Sequence, residues 1–215
     1  MVQRNPKFSL LIKYTADKIL AIILLLLTTP VFIWVAIRLK ILGEDVFYHQ
    51  KRVGYLGQDF FCYKFTTMPK GSEKAGYITT TDDERPFKFG KFLRKTKINE
   101  IPQLINVLLG DMSFVGPRPL IREQMMESFN PEEIIEYYSM RPGITGAGSL
   151  YYHHEDELLA CSANPHQYYR DVIMPHKFEL ERQYADNWNL VRDIKIFLKT
   201  VIRVILPSRD KILDK

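Results

Sequence analysis

The chain has 215 residues, a formal net charge of +5 and a pI near 9.1. This length can bury a sizeable core in one domain, and the excess of cations suits an anionic partner such as anionic lipid, nucleic acid or a phosphorylated substrate. Lysine and arginine are spread along the chain without a basic tail, and no known binding motif is visible, which argues against nucleic acid.

An uncharged apolar run of about 19 residues extends from Ile19 to Ile37. At about 1.5 Å per residue, such a helix just reaches across a hydrocarbon core of roughly 30 Å. Pro30 in its middle favours a kink, and the hydroxyls of Thr28 and Thr29 are expected to satisfy carbonyls freed there. Both flanks are basic, so charge gives no orientation. The residues alone leave three alternatives open: a re-entrant helix, a spanning helix and a buried helix of a soluble domain.

A β-hairpin and several helices are predicted beyond this run. Residues 45–63 hold aromatic and β-branched stretches separated by glycines, which is typical of a hairpin. Apolar residues at helical spacing predict a helix over 101–109. Asn130 followed by Pro131 and two acidic residues is a helix start.

The C-terminal part also has helical patterns, and its last helix has an unusual composition. Residues 190–206 are apolar except for a stripe of three cations four residues apart, Lys195, Lys199 and Arg203. Such a helix suits a membrane interface beside anionic head groups. The alternative is a core helix with a solvated basic edge.

The stretch from Arg94 to Pro119 carries the chemistry. It combines a cation cluster at its start with Glu100, and it ends in a Gly-Pro-Arg-Pro turn that constrains Arg118. Arginine holds phosphate oxygens in pairs of hydrogen bonds, and Mg²⁺ prefers one or two carboxylates together with phosphate oxygens. The stretch therefore predicts a site for a phosphorylated ligand and a divalent metal.

Four motifs occur together, at Lys64–Met68, Leu93–Leu104, Gly110–Pro119 and Arg141–Gly146. At these residues the chain resembles the bacterial sugar transferases, the monotopic polyprenyl-phosphate phosphoglycosyl transferases, and the resemblance covers nearly its whole length. It implies an α+β fold, mostly helical with a small hairpin and interfacial amphipathic helices.

The same resemblance implies a particular membrane arrangement. Residues 1–40 would form a re-entrant helix broken at Thr29 and Pro30, and residues 41–215 a catalytic domain. The expected location is the bacterial inner membrane, with the domain facing the cytoplasm. Membrane lipids are expected partners, and a homodimer is left open.

The implied reaction moves a sugar 1-phosphate from a UDP-sugar to polyprenyl phosphate and releases UMP, with Mg²⁺ as cofactor. In this family an aspartate attacks the β-phosphate to form a covalent phosphosugar intermediate, and the next residue, a glutamate, helps to hold the metal. These two catalytic positions are Asn99 and Glu100 here, and Glu100 is the expected metal ligand.

Five further residues match family positions for substrate binding: Lys64, Arg94, Arg118, Arg141 and Asp186. Taken in isolation, each of the arginines at 94 and 118 would rather be interpreted as part of a surface salt bridge. The aspartate could equally cap a helix.

Asn99 is the main departure from the family, because an amide is a poor nucleophile and lacks the charge that the covalent step needs. Asparagine is nearly isosteric with aspartate, so folding and ligand binding should survive. Two interpretations stay open: an engineered substitution that traps substrate, or a natural variant. The substitution also favours an alternative function, a catalytically silent membrane protein that binds lipid phosphate or scaffolds glycan assembly.

Two smaller departures concern specificity. Thr66 stands where the family often has arginine, and the sequence after Gly146 lacks an arginine proposed to contact the nucleotide. They leave the nucleotide sugar open more than the reaction type. His153 and His154 diverge by about 100° on a helix, so they are not expected to share a metal.

Overall fold

The computed structural model describes residues 7–72 and 84–205. In these ranges the chain forms ten α-helices and two two-stranded sheets, which confirms the predicted α+β class. The predicted division into 1–40 and 41–215 includes residues outside these ranges and stays a prediction. The strands are β1 Phe47–Val53, β2 Asp59–Phe65, β3 Ser113–Val115 and β4 Gly143–Thr145. The helices are α1 Lys7–Ile41, α2 Lys88–Lys95, α3 Gln103–Leu109, α4 Arg122–Met126, α5 Pro131–Tyr137, α6 Ala147–Tyr151, α7 Glu155–Ala160, α8 Pro165–Tyr168, α9 Met174–Asp186 and α10 Leu190–Ile205.

The two sheets differ in how well the sequence predicts them. Strands β1 and β2 form the predicted antiparallel hairpin, in which Phe47 lies opposite Phe65. Strands β3 and β4 pair in parallel, with Ser113 opposite Gly143. This second sheet is not predicted, because three residues per strand are too few to establish an alternating pattern.

The buried amide of Asn106 attaches the hairpin to α3. Its Nδ2 donates to the carbonyl of Phe61 at 2.7 Å, and its Oδ1 accepts from the backbone N–H of Tyr63 at 2.9 Å. The end of β2, which carries Lys64, is therefore held beside α3.

Helix α1 continues without interruption through Pro30. The Thr28 hydroxyl donates to the carbonyl of Leu24 at 2.7 Å, and the Thr29 hydroxyl donates to that of Leu25 at 2.9 Å. Proline has no N–H for the carbonyl four residues before it, which belongs to Leu26. The hydroxyls thus bond the carbonyls of Leu24 and Leu25, and the carbonyl freed by Pro30 is that of Leu26. This corrects the expectation that the hydroxyls satisfy the freed carbonyl. A kink at this point stays a prediction.

One face of α1 packs on the rest of the chain along most of its length. Lys13, Ala21 and Leu39 are each no more than 2% exposed, and they span roughly 40 Å of helix. On the opposite face, Leu26 is 71% and Leu27 is 69% exposed. The helix therefore lies along the domain and presents an apolar face outward.

A buried ion pair fixes the first part of α1 to α10. Lys13 Nζ lies 2.5 Å from Asp193 Oδ2, and their side chains are 1% and 9% exposed. The hydroxyl of Tyr184 donates to Asp193 Oδ1 at 2.6 Å, and the indole N–H of Trp188 donates to Oδ2 at 3.0 Å. Because the carboxylate has three donors, it is satisfied without water.

Helix α10 departs from the predicted pattern at one cation. Lys195 and Lys199 are exposed, but Arg203 is buried and donates to the carbonyl of Leu150. The expectation of one continuous basic stripe is therefore wrong, because the last turn packs against α6. Four large apolar residues remain exposed at a spacing of four, namely Leu190, Ile194, Leu198 and Ile202.

Candidate functional site

A tight turn between α2 and α3 presents Asn99 and Glu100. Lys97 adopts a left-handed conformation with φ of 58°, and a 3-10 turn follows over Ile98–Glu100. The backbone N–H of Glu100 donates to the carbonyl of Lys97 at 3.0 Å. Since a side chain at positive φ is strained, the turn is held by its surroundings, and it brings the two neighbouring residues to the end of β2.

Glu100 lies between two cations from distant parts of the chain. Its Oε1 is 3.1 Å from Lys64 Nζ and 3.8 Å from a terminal nitrogen of Arg118. Burial raises the pKa of Glu100, but Lys64, Arg118 and Lys97 outweigh burial and hold the pKa well below the usual range of a glutamate. The carboxylate is therefore ionised at neutral pH. The sequence predicted these residues, and the structure brings them together.

Asn99 is 8% exposed, and its Oδ1 is buried without a hydrogen-bond partner among residues 7–72 and 84–205. A buried carbonyl oxygen without a donor is unfavourable by about 1–3 kcal/mol, so a ligand that bonds this oxygen would remove that cost. Together with the carboxylate of Glu100 it supplies two hard oxygen donors, of the kind that Mg²⁺ accepts. The residues present therefore fit a magnesium ion that takes its other ligands from water or phosphate.

Arg94 is attached to the segment that follows β2. Its Nε donates to the hydroxyl of Thr67 at 3.0 Å. Helix α2 approaches this segment so closely that a Cβ on Gly90 would lie 2.1 Å from the carbonyl oxygen of Thr67. The motifs around Lys64 and Arg94 are thus joined in space. Nothing in the sequence around Thr67 predicts this role.

The other two predicted substrate-binding residues lie elsewhere. The guanidinium of Arg141 lies 4.1 Å above the ring of Tyr14 on α1. Asp186 is exposed at the end of α9. In the described part of the chain, neither has an ion pair or hydrogen bond with Glu100 or Asn99.

A buried tyrosine, Tyr138, forms two hydrogen bonds with the backbone at the end of the Gly-Pro-Arg-Pro turn. The Tyr138 hydroxyl donates to the carbonyl of Arg118 at 3.0 Å and accepts from the N–H of Leu120 at 2.9 Å. Arg52 donates to the carbonyl of Pro119 at 3.2 Å. These contacts fix the backbone from the carbonyl of Arg118 to the N–H of Leu120. Sequence reasoning missed Tyr138 because nothing local links it to the turn.

A buried polar group lies behind this turn on α9. Lys177 of α9 forms an ion pair with Glu155 of α7. The pKa of Arg118 is raised mainly by Glu100, and Glu155 adds to this because its negative charge favours the protonated guanidinium. Glu181 Oε1 accepts from the N–H of Gly148 at 2.8 Å, and burial raises the pKa of Glu181 to about 7.

We expect the Glu181→Gln variant to lose a pH dependence of stability. Between the ordinary glutamate pKa near 4.5 and about 7, the folded chain keeps the Glu181 proton and the unfolded chain releases it. The free energy of unfolding therefore falls as pH rises through this window, by up to about 3 kcal/mol. Denaturant unfolding at pH 5 and pH 8 measures the difference. Glu179→Gln, an exposed change on the same helix, is the control and should leave it intact. Equal pH dependence in both variants would contradict the assignment.

The chain is similar in sequence to several known proteins. The sequence profile of the bacterial sugar transferases matches residues 8–207. EpsL, an uncharacterized sugar transferase of Bacillus subtilis, is 34% identical over 201 residues, which are 93% of this chain and 90% of that protein.

Two longer relatives have names that state a reaction. An undecaprenyl-phosphate galactose phosphotransferase of Salmonella typhimurium is 31% identical over 223 residues, covering 96% of this chain and 42% of that protein. A UDP-glucose:undecaprenyl-phosphate glucose-1-phosphate transferase of Escherichia coli is 34% identical over 202 residues, covering 90% of this chain and 40% of that protein. The chain spans nearly all of EpsL and less than half of these two.

Proposed function

This chain belongs to the bacterial sugar transferase family, and on that basis we propose that its site is built to move a sugar 1-phosphate from a UDP-sugar to polyprenyl phosphate with release of UMP, a reaction that Asn99 blocks in the chain as it stands. The observation that carries the proposal is the ionised Glu100 between Lys64 and Arg118, directly beside Asn99. Phosphoryl transfer depends mainly on positioning and on neutralising charge at the phosphate oxygens. The two cations neutralise charge at the phosphate oxygens, and the carboxylate between them holds both cations in position.

The roles of the residues follow from their charges. Arg118 and Lys64 bind the oxygens of the diphosphate, and Arg94, attached to Thr67, adds a further cation. Glu100 and the carbonyl oxygen of Asn99 hold Mg²⁺, which supplies charge neutralisation at the phosphate when it is bound. These side chains orient the β-phosphate toward position 99.

The covalent step requires an aspartate at position 99. A carboxylate oxygen there would attack the β-phosphorus, and the bond from that phosphorus to the bridging oxygen would break, so that UMP leaves. An oxygen of polyprenyl phosphate would then attack the same phosphorus and regenerate the carboxylate. The amide of Asn99 cannot perform the first step, so the chain as it stands binds the UDP-sugar without turning it over.

The membrane arrangement that we propose is monotopic, with α1 re-entrant and the domain on the cytoplasmic face of the inner membrane. Contact of α1 with the domain from Lys13 to Leu39 supports it, since a helix crossing the bilayer upright would lose this contact. The exposed apolar stripe of α10 lies beside Lys195 and Lys199 and suits the same interface.

Asn99 favours a second candidate function, a silent membrane protein that binds lipid phosphate or scaffolds glycan assembly. Heat protection separates the two. We expect a UDP-sugar with Mg²⁺ to raise the unfolding temperature of the full chain in detergent. A ligand at about 100 times its Kd stabilises by about 2.7 kcal/mol. The Glu100→Gln variant should lose this protection. Equal unfolding temperatures with and without UDP-sugar would support the scaffold.

We expect the Tyr138→Phe variant to bind UDP-sugar more weakly, by roughly tenfold, because the carbonyl of Arg118 and the buried N–H of Leu120 each lose a hydrogen bond. Isothermal titration with UDP-sugar and Mg²⁺ measures the affinity. Tyr137→Phe is a matched control, since the adjacent Tyr137 is also buried but makes no hydrogen bond through its hydroxyl within the described residues. Unchanged affinity in the Tyr138 variant would show that the two lost hydrogen bonds do not position Arg118.

A further inference from the structure

Arg141, which the sequence assigned to substrate binding, contacts α1. Its guanidinium stacks on the ring of Tyr14 at 4.1 Å, and its backbone N–H donates to the Tyr14 hydroxyl at 3.3 Å. Two independent contacts with one tyrosine fix both the backbone and the charged end of this arginine. It is therefore presented at a defined point on the surface of α1.

Lys18 converges on the same point. It lies four residues after Tyr14 and thus on the same face of α1. A Cβ added to Gly110, at the end of α3, would lie 3.5 Å from a terminal nitrogen of Arg141 and 3.5 Å from Lys18 Nζ. Gly110 has φ of 96°, a conformation that favours glycine, and its missing side chain leaves the space between the two cations open.

No carboxylate forms an ion pair with either cation in the described part of the chain, since the neighbouring Asp17 and Asp111 bond Ser113 and Asn106. Neither the Lys18 ammonium nor the Arg141 guanidinium forms an ion pair or a side-chain hydrogen bond there, although both residues are half-buried. By contrast, the buried Lys13 on the same helix has Asp193. Two cations directed at one point repel each other, so an anion between them would stabilise the arrangement.

The location identifies the anion. Lys18 is the last charged residue before the apolar run Ile19–Ile37, and Leu109, beside Gly110, is 62% exposed. In the membrane placement proposed above, on which this inference rests, such a point lies at the level of lipid head groups. We propose that Lys18 and Arg141 bind the phosphate of an anionic bilayer phospholipid in the space beside Gly110.

A phospholipid fits this site better than the polyprenyl phosphate acceptor. The acceptor must reach Asn99 and Glu100, which precede α3, whereas Gly110 follows it. The seven residues of α3 separate the two ends by about 10 Å. Arginine binds phosphate with paired hydrogen bonds and lysine adds a point charge, so the pair suits a head group that stays in place during transfer.

Native mass spectrometry of the full chain in non-ionic detergent micelles tests this site. The micelles contain equal fractions of phosphatidylglycerol and phosphatidylcholine. We expect one phosphatidylglycerol per chain, retained roughly tenfold or more over phosphatidylcholine. The Lys18→Gln/Arg141→Gln variant should lose this preference. The charge-conserving Lys18→Arg/Arg141→Lys variant should keep it. The control Lys195→Gln/Lys199→Gln removes two exposed cations from α10 and should also keep it.

The outcomes separate cleanly. The proposal would be overturned if the Lys18→Gln/Arg141→Gln variant retained as much phosphatidylglycerol as the unchanged chain. It would also be overturned if polyprenyl phosphate, added at equal fraction, displaced phosphatidylglycerol one for one, because the site would then belong to the acceptor. If the double variant does not fold, Lys18→Gln alone decides, because it leaves the stack on Tyr14 intact. The measurement uses no UDP-sugar, so a failure of the transferase function would not change it.

Discussion

Replacing Asn99 by aspartate is expected to raise UMP release by at least roughly a thousandfold. The substitution restores a charged nucleophile, and loss of a nucleophile commonly costs this much or more. Aspartate is nearly isosteric with asparagine, so it fits position 99, and the Oδ1 of Asn99 has no hydrogen bond in the described residues that the exchange would break. The measurement is UMP release from a panel of UDP-sugars with polyprenyl phosphate and Mg²⁺ in detergent.

Two controls make this result specific. Asn99→Ala should remain silent, because it removes the amide without supplying a carboxylate. Asn99→Asp combined with Glu100→Gln should lose most of the regained activity, since the metal ligand is gone. A covalent phosphosugar adduct on the Asn99→Asp chain, detected by intact mass, would establish the intermediate. Continued silence of Asn99→Asp with every UDP-sugar would count against the proposed site.

Replacing Lys13 by methionine is expected to lower the free energy of unfolding by about 3–5 kcal/mol. The change leaves the carboxylate of Asp193 buried without its cation, and breaking one side of a buried pair costs this much. The neutral donors Tyr184 and Trp188 would remain. Denaturant unfolding of the full chain in detergent at neutral pH measures the loss.

An exposed ion pair provides the matched comparison. Lys51 Nζ lies 3.0 Å from Asp59, but the Lys51 side chain is 66% exposed, so Lys51→Met should cost less than about 1 kcal/mol. Adding Asp193→Asn to the Lys13 variant should recover part of the loss, because no unpaired charge then remains buried. Similar losses for Lys13→Met and Lys51→Met would show that the buried pair does not anchor α1.

Features that depend on neighbouring residues could be predicted from the sequence. Asn130 was expected to cap a helix, and its side chain accepts from the N–H of Glu133 at 3.0 Å while the Glu133 carboxylate accepts from the N–H of Asn130 at 2.8 Å. The hairpin was predicted for the same reason, since alternation and punctuating glycines are local signals. The pairing of Asn99 with Glu100 needed only adjacency.

The contacts that attach α1 to the rest of the domain join distant positions. Lys13 and Asp193 are 180 positions apart, and Arg141 and Tyr14 are 127 apart. A period along the chain places a residue on a face, but it does not indicate which face of another element will cover it. This is why Tyr138, Thr67 and the surroundings of Glu181 were missed, and why the contact of Arg141 with Tyr14 was not predicted.

The sequence by itself determined the α+β class, the apolar helix with its proline, the family of the chain and the amide where a nucleophile is expected. All of these depend on residue identity and short spacing. The tertiary structure alone decided which cations surround Glu100, that α1 lies along the domain, and that Lys18 and Arg141 converge beside Gly110. The physical reason is that charge pairing and burial act between side chains brought close by folding, and their energies depend on distance in space rather than along the chain.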